Sequence, residues 1–213
     1  MVKPRENWFL ERIAMAKLRM AVIMMLGVVM LSSCAVRQAG NDDIARLKAQ
    51  INSNFRDPVP HFELAQIYQN IGDFDKAAYE YDTTLQLDPV NREAQAAIVK
   101  VYRLAGAEDK ASDAAKIYMK SVSGTPEDSL ALGRAFENAG LGDMALASYE
   151  QALRMAPNSG VVHKQIGYYY LNKKDKDMAL KYFKKSFELD PYDSDVGLEL
   201  GRLGVKVGVE KKK

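Results

Sequence analysis

PVPHFELAQIYQNIGDFDKAAYEYDTTLQLDPVN, residues 58–91, divides at its middle into two amphipathic halves. In the first half His61, Leu64, Ala65 and Tyr68 follow the i, i+3, i+4, i+7 spacing that places side chains on one face of a helix. In the second, Ala77, Tyr81, Thr84 and Leu85 do the same. Gly72 stands between them, where a left-handed turn costs a glycine little, and Pro89 closes the second half. Helices this short are marginal in isolation, so each pair must bury its apolar face against a neighbour. The next residues supply that neighbour. Blocks of 34 beginning at Pro58, Arg92, Pro126 and Gly160 align without a gap. Leu64, Ile98, Leu132 and Ile166 share the seventh position, and Ala65, Val99, Gly133 and Gly167 the eighth. Tyr68, Tyr102, Phe136 and Tyr170 share the eleventh, and Ala77, Ala111, Ala145 and Ala179 the twentieth. The twenty-fourth position reads Tyr81, Ala115, Tyr149 and Phe183, and the thirty-second Pro89, Ser123, Pro157 and Pro191.

This pattern resembles the tetratricopeptide repeat (TPR), a helix-turn-helix unit of 34 residues. The resemblance implies an all-α solenoid wound as a right-handed superhelix, with repeats over 58–91, 92–125, 126–159 and 160–193. Residues 42–57, with Ile44, Leu47 and Ile51 in one stripe, match the second half of a preceding repeat, and 194–213 form a capping helix and basic tail in which Gly204 replaces the eleventh-position aromatic. The second repeat departs from the rule, with Ala115 and Tyr118 at positions 24 and 27 where its neighbours have aromatic then small. A size swap between core positions explains this, and so does a three-residue slip that brings Ala114 and Tyr118 to positions 20 and 24.

Ahead of the repeats, Ala21–Leu31 is an uncharged apolar run of eleven residues preceded by Lys17 and Arg19. A membrane span needs about 20 such residues, whereas a signal-peptide apolar region takes about 7–15. Leu31-Ser32-Ser33-Cys34 resembles the bacterial lipobox. That resemblance implies a leader over residues 1–33, with a possible true start at Met15, cleavage before Cys34, and a lipid such as palmitate on the mature terminus. Cys34 is the only cysteine, so neither an internal disulfide nor a multi-cysteine zinc site is available to it. Ala35 in place of aspartate implies the outer membrane in a diderm bacterium, with the domain facing the periplasm or the outside. A tether over 34–41 reaches about 25 Å at most.

The formal charge is +2, but residues 1–33 carry Lys3, Arg5, Arg12, Lys17 and Arg19 against Glu6 and Glu11, which leaves −1 on residues 34–213. The basic excess lies in the leader, and nucleic acid is not an expected partner. No phosphate loop, catalytic grouping or metal-ligand spacing is present in the pattern, so no enzyme activity, cofactor, metal or small-molecule substrate is expected. His61 and His163, both at the fourth position, read as packing residues.

The surface is left to carry function. The TPR resemblance implies that positions 2, 5, 9, 12 and 13 of the first helices line a groove for a partner protein or peptide. Carried onto this chain, the groove comprises Phe62, Gln66, Asn70, Lys100, Arg103, Arg134, Asn138, Lys164, Tyr168, Asn172, Arg202 and Lys206. Six of these are basic, which points to an acidic partner. The lysine-asparagine clamp that chaperone-binding TPR proteins use for a terminal carboxylate is missing, because Phe62 and Gln66 occupy its places. The expected role is a membrane-anchored scaffold in the cell envelope. Small TPR lipoproteins also resemble pilotins for type IV pilus secretins and subunits that recruit cell-wall hydrolases.

Overall fold

The computed structural model describes residues 41–206; the lipobox, Cys34, the leader and residues 207–213 lie outside them. The described residues are helical throughout, with no strand among them. They fall into two compact units divided after Asn54. The first contributes helix α1 over 41–53, whose only positions that are not exposed are Ile44, Leu47 and Ile51.

The second unit holds nine helices among its described residues: α2 (Pro58–Asn70), α3 (Phe74–Leu87), α4 (Arg92–Leu104), α5 (Glu108–Ser121), α6 (Pro126–Asn138), α7 (Gly142–Met155), α8 (Gly160–Asn172), α9 (Lys176–Leu189) and α10 (Ser194–Arg202). The first helices of successive pairs start 34 residues apart, at Pro58, Arg92, Pro126, Gly160 and Ser194. A capping residue one position earlier explains each start. Asp57, Asn91, Thr125, Ser159 and Asp193 accept a backbone N–H of the first turn. Gly72, Gly106 and Gly140 end the first helices with φ of +81°, +73° and +81°. In the fourth repeat Lys174 takes the same left-handed conformation at φ +62°, with the same pair of closing bonds, from Lys174 N–H to Leu171 O and from Asp175 N–H to Tyr170 O.

The second repeat keeps its register. α5 starts at Glu108, the same point in its block as its counterparts, and Ala111 and Ala115 are buried, so the departure is a size swap and no slip. The swap crosses the helix pair. Where position 24 carries Tyr149 or Phe183, position 8 is Gly133 or Gly167; where position 24 is Ala115, position 8 is Val99. An added Cβ on Gly133 would stand 2.4 Å from Tyr149 Cε1, and one on Gly167 would stand 2.7 Å from Phe183 Cδ1. Across these three pairs a larger residue on one helix goes with a smaller one on the other, while the first repeat buries Ala65 opposite Tyr81. Tyr118 sits half-buried, and burial pushes its phenol up to about 12.

Position 4 does a task that the repeat pattern did not reveal. His61 Nε2 lies 3.3 Å from Phe55 O, Gln95 donates to Pro89 O at 2.8 Å, Ser129 donates to Val122 O at 3.0 Å, and His163 Nε2 lies 2.9 Å from Pro157 O. Each side chain ties its own repeat to a carbonyl in the segment just before it. Both histidines are buried, and His61 Nδ1 also lies 2.7 Å from Glu80 Oε2.

The last helix is shorter than expected. Gly204 at φ +85° lets Val205 N–H bond to Leu200 O, which closes α10 at Arg202 and leaves Lys206 beyond the helix. α10 buries Val196 and Leu200 against Ala179 and Phe183 of α9.

Candidate functional site

The first helices α2, α4 and α6 stand side by side, and a groove of about 480 Å³ opens across them. Phe62 and Tyr81 form one wall, and Ala97, Ala135 and Ala139 form the floor. Gln66, Gln69, Asn70, Glu93, Lys100 and Asn138 supply the polar rim. The aromatic wall is set by packing: Phe62 meets Tyr81 edge-on at 5.6 Å, and the Tyr81 hydroxyl donates to Gln69 Oε1 at 3.1 Å. Burial raises the Tyr81 phenol well above its ordinary value, so it remains a neutral donor.

Five of the sequence-predicted groove residues line this space together: Phe62, Gln66, Asn70, Lys100 and Asn138. Sequence reasoning missed its alanine floor. The signal was present, because Ala135 and Ala139 stand at the tenth and fourteenth positions, where the first repeat carries the larger Ile67 and Ile71, and Ala97 stands at the sixth, where it carries Glu63.

The other predicted residues stand in other surroundings. Arg103 reaches across from α4 to α7, donating to Asp143 Oδ1 at 3.1 Å and Oδ2 at 2.7 Å, and also pairs with Glu108 at 3.1 Å. That bidentate bond holds the Asp143 carboxyl below the usual aspartate range and raises the guanidinium. Lys164 Nζ meets Asp193 Oδ2 at 2.6 Å with both side chains largely covered, and the bond raises the ammonium. Burial alone would raise Asp193, but the Lys164 bond and two backbone N–H donors outweigh it and lower its carboxyl. Arg202 pairs with Glu199 at 2.6 Å. Three of the six predicted groove cations are thus neutralised from within, which corrects the picture of a continuously basic groove. Lys100 and Arg134 form no ion pair among the described residues, and Arg134 is exposed.

The fourth repeat also differs from expectation. Asn172 donates to Glu137 Oε1 at 2.9 Å, and the Tyr149 hydroxyl donates to Glu137 Oε2 at 2.8 Å, so this asparagine joins α8 to α6 and is not available in the way Asn70 and Asn138 are. Tyr168 lies edge-on to Phe183 at 5.1 Å and is half-buried. Tyr169, not Tyr170, is the most buried of the three tyrosines: it donates to Gly142 O at 2.9 Å and meets Tyr149 edge-on at 5.9 Å. Tyr170 stacks on Tyr182 at 5.6 Å and stays half-buried.

Among the described residues no set of three or more His, Cys, Asp and Glu side chains is placed to hold a metal ion, and no helix is long and apolar enough to cross a membrane. Family models for the tetratricopeptide repeat match residues 60–91, 129–160 and 165–193.

The chain carries tetratricopeptide repeats.

TPR units are generally protein-interaction modules without catalytic activity of their own. Solved structures similar to this chain include MamA from Desulfovibrio magneticus RS-1, at 20% identity over 76% of this chain and 92% of that one with a TM-score of 0.38. Another is YrrB, described as a TPR protein with an unusual peptide-binding site, at 22% identity over 74% of this chain and 81% of that one with a TM-score of 0.38. A third is Pseudomonas aeruginosa pilF, at 22% identity over 68% and 67% with a TM-score of 0.38. Among curated proteins, none matches the chain.

Proposed function

We propose that this TPR solenoid is a lipid-anchored scaffold of the cell envelope that holds a segment of a partner protein in the groove across α2, α4 and α6. The observation that carries the reading is the groove itself. Its rim presents Asn70, Lys100 and Asn138, which have no side-chain hydrogen-bond partner among the described residues, while Arg103, Lys164 and Arg202 of the first helices are paired internally. Polar groups left open beside an apolar floor are what an extended backbone needs, since it brings its own donors and acceptors together with alternate side chains.

The anchor is carried by sequence. Leu31, Ser32, Ser33 and Cys34 follow an apolar run too short to span, and the thiol is the side chain best suited to take a lipid. The domain would then work within about 25 Å of the bilayer, on the periplasmic or outer face. Metabolic labelling with palmitate tests this half: label on the wild type and none on Cys34→Ser is the expected result, and label that persists in the variant sinks it. Cross-linking and affinity capture from membranes tests the other half. Wild type should recover a discrete partner that Lys100→Glu/Arg134→Glu loses; identical recovery by both proteins contradicts groove binding. The partner's identity, a secretin, a cell-wall hydrolase or another envelope protein, then names the process.

A further inference from the structure

Ion pairing divides the row of first helices into two unlike halves. Toward the C-terminal end, Lys164 and Arg202 are held by Asp193 and Glu199, Asn172 is held by Glu137, and Tyr168 covers Phe183. A ligand entering there would have to break these contacts. Drawing Lys164 away would leave the Asp193 carboxylate, 15% exposed, without its cation, and stranding a buried charge costs more than a new surface pair returns.

In the N-terminal half Arg92 meets Asp128 at 3.3 Å and Arg103 meets Asp143 at 2.7 Å, but neither arginine lines the groove. The charges that do line it, Lys100 and Glu93, form no ion pair among the described residues. Lys100 and Arg134 occupy the same ninth position on the adjacent helices α4 and α6, and neither meets a carboxylate among the described residues. Glu93 stands at the opposite rim, two turns earlier on α4 and joined to no cation. The groove is therefore polar across its width, with Lys100 toward one rim and Glu93 toward the other. Between the rims lie the alanine floor and the Phe62–Tyr81 wall, in a space of about 480 Å³. That volume takes one large apolar side chain with its flanking backbone.

We propose that recognition is confined to repeats one to three, and that the ligand is an extended peptide segment bearing an apolar side chain beside a carboxylate. The apolar side chain sits on Ala97 and Ala135, and the carboxylate lies at Lys100, away from Glu93, with Arg134 at the matching position of the next first helix adding to the positive field. This rests on the scaffold reading above and adds the chemistry of the partner to it.

A capped random octapeptide library, both ends blocked so that no terminal charge contributes, is passed over the immobilised chain at low and at moderate salt. Bound peptides are read by mass spectrometry. Leu, Ile, Met or Phe beside Asp or Glu should be enriched, with enrichment falling as salt rises. Lys100→Glu should lower the acidic enrichment about tenfold and raise Lys and Arg in its place. Ala97→Phe should remove the apolar preference while leaving helicity and Tm near wild type. Lys164→Gln and Arg202→Gln should leave the enriched set unchanged. Enriched peptides without an acidic residue, or a set that ignores Lys100→Glu and disappears in Arg202→Gln, overturn this inference and leave groove binding standing. If no peptide is enriched and the membrane partner cross-links only to α3, α5 or α7, both readings fall.

Discussion

Replacing Gly133 by alanine inserts one methyl group where the structure leaves no room for it. The added Cβ would lie 2.4 and 2.5 Å from Tyr149 Cε1 and Cδ1. The ring cannot swing aside cheaply. It is fully buried, its hydroxyl donates to Glu137 and its face meets Tyr169 at 5.9 Å. Overpacking of this kind costs about 1–3 kcal/mol, and alanine recovers about 0.5–1 kcal/mol in helix propensity, so the net loss is centred at about 1 kcal/mol. For a domain of this size a loss of about 1 kcal/mol lowers Tm by roughly 2–4 °C. The second repeat shows how the strain is relieved, because Val99 there faces an alanine at position 24. Tyr149→Ala alone should cost about 3–5 kcal/mol through the cavity it leaves. Gly133→Val/Tyr149→Ala copies the second repeat, and should be more stable than the sum of its single changes by at least about 1 kcal/mol. Urea denaturation followed by circular dichroism measures all four corners of the cycle. A neutral or stabilising Gly133→Ala, or a double variant that is merely additive, would refute the size-swap account of the helix pair.

Lys174→Gly should stabilise the chain by about 0.5–1 kcal/mol, since Lys174 holds φ +62° where three other repeats place glycine, and a lower Tm for the variant would contradict this. Asp143→Asn should cost about 0.5–1 kcal/mol at neutral pH, a modest figure because the Asp143 side chain is 62% exposed. The folded carboxyl is lowered, so its contribution is complete above the unfolded value of about 3.9 and disappears as pH falls through the lower folded value. Urea midpoints of wild type and variant should therefore converge in strong acid; a gap that stays constant from pH 7 to 2 would disprove the linkage. Gln95→Met should cost about 1–2 kcal/mol in the same assay by leaving Pro89 O without its donor, and an unchanged midpoint would show that the position-4 tie is dispensable.

The architecture was legible because it rests on local rules. Gly72, Gly106 and Gly140, the alanines at position 20 and the thirty-fourth-position caps each act within one or two turns of themselves, and a gapless period carries them along the chain. The second repeat was half legible. Its size swap lies open in the sequence, but only the placement of α5 from Glu108 distinguished it from a slip. The groove was legible as a face and not as a charge pattern. Arg103 and Asp143 are 40 residues apart, and Lys164 and Asp193 are 29 apart, so neither pairing follows the repeat. A lysine or arginine side chain is long enough to choose its partner in three dimensions, and the helical period says only which way it leaves the backbone. The alanine floor was missed for the opposite reason, because small residues read as packing until the space above them is seen.

The central claim is that the first-helix groove of repeats one to three holds a partner, and site-specific photo-cross-linking tests it most directly. A photoreactive phenylalanine analogue is placed at Gln66, which lines the groove, and in a second chain at Tyr79, exposed on α3. Both chains are irradiated in cells that express the protein. One discrete cross-linked species from Gln66 and none from Tyr79 is the predicted result; a partner captured from Tyr79 and not from Gln66 would contradict it.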